Sequence, residues 1–293
     1  MIDLITVVYR PEICYLEIQA KSIENYFTDE QIKNIYIVVN DSDDVVNLID
    51  LSWYGKYADR VIVYPYSEFG YINRVGGWDN QQLCKLLAAS RSTCDWSVVL
   101  DAKTFFVRPF KTDLFLNSEN KACTVKLLHM PVFESAKNFV EKLYNIELDY
   151  IIGPGGVPFL FHTNTVKSLI SDTEQLTGKA FIEFFLDNVC YPNLITEFYL
   201  YSAYVKHKYK DFEELYSNTQ RWNCINIADW EVNNFDRLFL DMQKFLTLTV
   251  SIASKSWVLL TTEQKTAYLE FLSKRNLITD VQNTQKRLNT VIR

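Results

Sequence analysis

The stretch 97-SVVLDAKTFFVRPF-110 is an apolar run that stops at Asp101 and resumes after Lys103. It reads as the end of a buried strand carrying an acidic site, with a lysine where the second carboxylate of an Asp-x-Asp pair would stand. Alternation along a strand puts Asp101 and Lys103 on one side and turns Ala102 away, so a carboxylate and an ammonium face one crevice. The plain alternative is a solvated strand-end ion pair, which contributes little. The functional reading is that fixed positive charge from Lys103 replaces what a divalent cation would supply, as a point charge without octahedral order.

Upstream of this stretch, short apolar runs alternate with helical patterns. Ile2 to Tyr9 reads as a strand ended by Pro11, and Cys14 to Phe27 repeats its apolar residues at helical spacing. Ile35 to Val39 and Val61 to Tyr64 are further strands, and Gly76-Gly77 open a helix from Trp78 to about Ser90. Such alternation predicts an α/β fold with a mostly parallel sheet covered by helices on both faces. Ligands of such sheets lie beyond the carboxyl ends of the strands. Downstream, Thr124 to His129 and Val157 to His162 read as strands, while Thr163 to Leu176, Phe181 to Asp187 and Glu197 to Lys206 read as helices. From about Asn234 onward the pattern is helical, with Thr262-Glu263 a helix start. The expected organisation is residues 1–230 as one catalytic-sized α/β domain, with 231–293 a helical extension packed on it.

The 293 residues are 48% hydrophobic, enough for a large core, and the net charge of −6 argues against a nucleic-acid partner. The N-terminal apolar stretch is too short to span a bilayer and has no basic leader, which predicts a soluble cytoplasmic protein, at most peripheral to a membrane. Six scattered cysteines without a C-x-x-C pair are expected to be reduced thiols.

On the helix after Gly77, Trp78, Gln81 or Gln82, and Lys85 lie about one turn apart. Leu83, Leu86 and Leu87 occupy the other face. The polar face is either solvated or set beside the crevice, offering amides and a cation to a phosphate or a sugar.

The order DLITVVY, GWDNQQLCKLLAAS, SVVLDAKTFFVRP resembles the GT-A fold of nucleotide-sugar glycosyltransferases, and is especially similar to a family of GT-A-like proteins from bacteria and viruses. GVPFLFHTNTVKSLI (156–170), TEFYLYSAYV (196–205) and, more weakly, SIASKSWVLLTTEQKTAYLEFLSKRNLI extend the likeness over most of the chain.

The resemblance implies a donor, a UDP- or GDP-sugar, whose nucleoside meets Thr6, Tyr9, Arg10 and Asp41 or Asp43. It implies that Asp101 hydrogen-bonds the ribose or a phosphate-bound ion. Trp78, Gln82, Lys85 and Lys103 complete the donor contacts, and Arg108 is a further cation for the diphosphate. Glu197, in the first turn of a helix that Thr196 can cap, is the expected base for an acceptor hydroxyl, with inversion favoured over retention. The helix dipole would lower its pKa there. His162 is the alternative base. Gly155 and Gly156 would let a sugar approach the backbone, and Tyr201 on the TEFYLYSAYV helix is assigned to the acceptor side. Lys103 and the lack of a late histidine depart from metal-dependent relatives, so no cofactor is expected to be required, although Asp101 admits Mn or Mg. The acceptor is a glycan, lipid or protein. A catalytically inactive nucleotide- or sugar-binding protein on the same scaffold is the rival reading. A nucleotidyltransferase comes third, since Tyr9-Arg10-Pro11-Glu12 makes a poor triphosphate loop.

Overall fold

In the computed structural model, which describes residues 1–69, 77–154, 156–190, 192–209 and 211–291, the N-terminal apolar run forms β1 (Ile2–Val8), buried at every position. Each fully buried Ile or Val there contributes roughly 1.5–3 kcal/mol. Pro11 ends the strand's course in a single 3-10 turn (Arg10–Glu12), which feeds α1 (Ile13–Tyr26). β2 (Ile32–Val39), β3 (Val61–Tyr64), α2 (Gly77–Ser90) and β4 (Trp96–Asp101) follow. β5 (Thr104–Phe106) begins three residues after Asp101.

The middle of the chain is made of short elements: α3 (Thr112–Phe115), β6 (Ala122–Thr124), β7 (Lys126–Leu127), α4 (Glu134–Tyr144), β8 (Ile151–Ile152) and β9 (Phe159–His162). The strand expected over 124–129 is thus two short pieces in different sheets. Three helices follow, α5 (Thr163–Thr177), α6 (Phe181–Val189) and α7 (Glu197–Tyr209). α5 stops at Gly178, whose positive φ of 68° accepts the left-handed turn that closes a helix. Beyond β10 (Tyr216–Asn218) and β11 (Asn223–Ile227) lie α8 (Phe235–Met242), β12 (Thr247–Ile252), α9 (Ser254–Leu259), α10 (Thr262–Ser273) and α11 (Val281–Val291). α10 begins with a capping box between Thr261 and Gln264, one residue earlier than the sequence suggests.

The main sheet has the order β3-β2-β1-β4-β9, parallel except for the last pair. Right-handed crossovers running in opposite directions from β1 place α1 and α2 on opposite faces. α2 packs against β1, α5, α6 and α7, while α1 packs against β5 and the 3-10 segment Leu51–Arg60. At the amino end of the sheet, buried Asp3 accepts hydrogen bonds from Asn34, Ser92, Thr93 and Cys94, so its charge is fully solvated by protein donors.

The C-terminal portion is helical as expected, with one departure. β12, rich in β-branched residues, is buried along its whole length between β11 and β5, and so joins a second sheet of order β11-β12-β5. Its Val250 and Ile252 gather with Tyr15, Ile18, Trp257, Leu269 and Leu272 in a second core, while Leu248 joins the main one. The C-terminal residues therefore share a sheet with the chain that follows Lys103. All six cysteines are free thiols. Among the described residues no helix is long and apolar enough to cross a membrane.

Candidate functional site

β1 has β2 on one side and β4 on the other, with Val7 level with Asp101 in the register. The strand order reverses between β1 and β4, so a crevice opens beyond their carboxyl ends. Tyr9, Glu12, Asp101 and Lys103 all fall there.

The turn after Asp101 is held from below. The Gln19 side-chain amide, on α1, donates to the backbone carbonyls of Asp101 (2.7 Å) and Thr104 (2.9 Å). The Thr6 hydroxyl donates to Gln19 Oε1 at 2.7 Å. Ala102 is buried, and Asp101 and Lys103 emerge together with Lys103 Nζ 3.5 Å from Asp101 Oδ2. The two side chains do face one crevice, but through a turn that Gln19 fixes rather than through strand alternation.

Around them runs a chain of alternating charges. Glu12 Oε1 lies 3.3 Å from Lys103 Nζ and accepts from Ser254 at 3.4 Å. Lys85 Nζ lies 3.0 Å from Asp101 Oδ1 and 3.2 Å from Glu197 Oε1. Gln81 donates to Asp101 Oδ1 at 2.9 Å, and Gln82 Oε1 accepts from the Glu197 backbone at 3.3 Å. Gln82 Nε2 is buried without a hydrogen-bond partner among the described residues. With every member ionised, three carboxylates face two ammoniums, one net negative charge.

Burial and pairing divide the carboxylates. Desolvation pushes the Glu12 and Glu197 carboxyls above the usual range, further than their lysines pull them back. The helix-dipole expectation for Glu197 is therefore reversed: desolvation outweighs the stabilising contacts in the first turn of α7. For Asp101 burial works in the same upward direction, but Lys85 and Lys103 together hold its carboxyl well below the usual range. Both ammoniums are raised: burial opposes this, and the carboxylates overcome it.

One hollow opens on this charge chain, and a second is bordered by Tyr9, a neighbour of Glu12 and Lys103. One, of about 260 Å³, has Lys85, Asp101, Glu197 and Asn226 in its wall, with exposed Trp78 and Trp230 at its mouth. The other, of about 500 Å³, is bordered by Tyr9, Asn40, Asp41, Tyr66 and Asn80. A divalent cation fits this donor set poorly. Asp101 has both oxygens engaged by lysines and Gln81, and among the described residues no group of three or more His, Cys, Asp or Glu is placed to hold a metal.

The other candidates are dispersed. Thr6 is wholly buried under Gln19 and cannot touch a nucleoside, so its place is beneath the turn. Tyr201 is wholly buried, its hydroxyl accepting from Tyr216 and from the His162 amide, so it is a core residue of α7. His162 pairs with Trp96 at the opposite end of β4 from Asp101, about 16 Å along the strand. Its imidazole meets Thr165 at 2.9 Å, and burial lowers its pKa; it is no base for this crevice. Gly155 lies outside the described residues, whereas Gly156 borders the smaller hollow and a Cβ there would meet nothing. Arg10 pairs with Asp44 at 2.5 Å and its amide donates to Asp41. Arg108 is turned away, donating to the Phe245 and Leu246 carbonyls.

Glu12, Gln19, Asn226, Trp230 and Ser254 escaped the sequence reading. Glu12 carried a signal, an acidic residue directly after the first strand. The others come from α1 or from C-terminal elements whose proximity no local pattern encodes.

Glycosyltransferases share this architecture. The bifunctional glycosyltransferase WbbM is 14% identical, with 98% of this chain and 51% of that chain covered at a TM-score of 0.53, which supports the GT-A fold. GlyE of Streptococcus pneumoniae TIGR4 is 14% identical over 98% of this chain and 63% of its own, at 0.49. The galactosyltransferase LgtC, solved with donor and acceptor sugar analogs, is 12% identical over 99% and 96%, at 0.46. No curated protein matches. By the match of its residues 4–238 to the family model, the chain belongs to the family of unknown function DUF6492.

Proposed function

We propose that the protein transfers a sugar from a nucleoside-diphosphate sugar to an acceptor hydroxyl. The observation that carries this reading is the charge chain Glu12, Lys103, Asp101, Lys85, Glu197 at the switch point, with a hollow opening on its Lys85, Asp101 and Glu197 end. The nucleoside occupies the hollow bordered by Tyr9 and Asp41, and the sugar the hollow bordered by Glu197, Gly156 and Trp78. Lys103 and Lys85 then stand between the two, where the diphosphate must lie. The acceptor oxygen attacks the anomeric carbon, the bond from that carbon to the diphosphate breaks, and the diphosphate leaves with the electron pair. Its developing charge meets ammoniums already in place. Glu197 takes the acceptor proton if configuration inverts, since its raised carboxyl is a stronger base than a surface glutamate. With retention it becomes a substrate contact.

Lys103 must exchange Glu12 for phosphate when the donor binds. Glu12, with its upward-shifted carboxyl, takes a proton at that moment and removes the local excess of negative charge.

The test is a calorimetric titration with UDP, GDP and their sugar conjugates, first in EDTA and then with Mn. Binding of one diphosphate in EDTA is expected; binding to none under either condition overturns the reading. A second reading, nucleotide-sugar binding without turnover, draws on the pinning of Glu197 by Lys85. Donor affinity with neither hydrolysis nor transfer to any offered glycan, lipid or protein would select it.

A further inference from the structure

The turn between α8 and β12 carries two apolar side chains into solvent, Phe245 at 87% exposure and Leu246 at 55%. The turn is not loose. Arg108 donates to the Phe245 carbonyl and, at 3.0 Å, to that of Leu246, and its guanidinium lies 5.2 Å from the Phe245 ring. Beside this tip is a groove of about 560 Å³ whose walls carry Arg108, Lys111, Arg221, Lys244 and Arg275 against a single acid, Asp113. Lys244 is partly spent on Asp241 at 2.5 Å. In a chain of net charge −6, five cations against Asp113 and the Asp241 carboxylate on Lys244 mark a local reversal of sign.

We propose that this face docks on an anionic lipid bilayer, with Phe245 and Leu246 entering the interface and the groove's cations meeting lipid phosphates. Membrane association of this kind needs two signals, an apolar insertion and a basic patch, and both are present within one turn and its adjoining groove. A soluble polyanion would use the cations but leave Phe245 and Leu246 in water, which is the argument for a bilayer.

The geometry also separates docking from the crevice. β12 starts at Thr247 beside the groove and ends at Ile252, two residues before Ser254, which touches Glu12. The two sites stand roughly 17–20 Å apart along that strand. Groove variants should therefore leave nucleotide binding alone.

The experiment is co-sedimentation of the full chain with vesicles of phosphatidylcholine, alone or mixed with phosphatidylglycerol. Sedimentation is expected only with the anionic mixture and should fall as salt rises. Lys111→Gln and Arg221→Gln should each weaken the partition roughly fivefold. Phe245→Ser should weaken it further in salt that screens the charges. Nucleoside diphosphate affinity, measured in parallel, should be unchanged in all three and shows that they fold. Equal sedimentation with neutral vesicles, none with either, or no loss in the variants overturns the proposal. So does release from the vesicles by free inorganic phosphate or a short DNA duplex at matched ionic strength.

Discussion

Lys85 and Glu197 meet at 3.2 Å across 112 positions of sequence, both nearly sealed from solvent, with Asp101 on the other side of the same ammonium. One cation thus ties the helix beside the parallel strands to the start of a helix from the second half of the chain. Removing either partner has different consequences, because one leaves two buried anions and the other leaves a pair.

Lys85→Met should destabilise the protein by roughly 3–5 kcal/mol, since it strands buried Glu197 without a counter-charge and leaves Asp101 to Lys103 alone. Urea denaturation at neutral pH measures this. A midpoint equal to that of the parent protein would show that the pairing has no structural role.

Glu197→Gln should abolish transfer, spare donor affinity and raise Tm at neutral pH. Folding raises the Glu197 pKa, so the folded state holds this proton more tightly than the unfolded one. The stability it contributes is complete below the unfolded value and is lost as pH rises through the folded one. The gain in the Gln variant should accordingly vanish below about pH 4.3 and grow above it. A Tm difference independent of pH contradicts this, and an active Gln variant removes the base assignment.

Lys103→Ala should weaken nucleoside diphosphate binding by roughly 10–100-fold, the range for a lost charge-assisted hydrogen bond, and barely alter binding of the nucleoside. EDTA should leave the parent affinity nearly unchanged. Equal losses for both ligands, or a strict need for Mn or Mg, would return the diphosphate to a metal.

Diphosphate binding should take up a proton and tighten as pH falls, because burial already raises the Glu12 carboxyl and a phosphate beside it raises it further. Titrations in buffers of different ionisation enthalpy read the uptake directly. Zero uptake in the parent, or the same uptake in Glu12→Gln, would sink the idea.

Gln19→Leu should cost about 2–4 kcal/mol, since it removes the partner of the Asp101 carbonyl and of the buried Thr104 carbonyl and Thr6 hydroxyl. Donor affinity should fall with it, because the turn bearing Lys103 loses its support. Full donor affinity at a lowered urea midpoint would confine Gln19 to stability alone.

The parallel sheet, its order of elements and the crevice end of β4 were legible because strands buried on both faces read as apolar runs and the helices between them as amphipathic repeats. Asp101, Lys103 and Lys85 could be named for the same reason: each sits at a set register beside or at the end of a regular element. The Asp101-Lys103 juxtaposition came out correctly although the chain turns there instead of continuing as a strand, since either path brings positions two apart to one side when a buried residue separates them. Thr6, Tyr201 and His162 misled because polar residues in buried elements look alike whether they face a ligand or a hydrogen-bond partner in the core. Only the tertiary structure decided that difference. It also brought Ser254, Asn226 and Trp230 to the crevice, by laying β12 against β5, and it alone set which carboxylate is lowered and which are raised. Strand pairing at long range and desolvation depend on neighbours distant in sequence, and local periodicity carries no record of them.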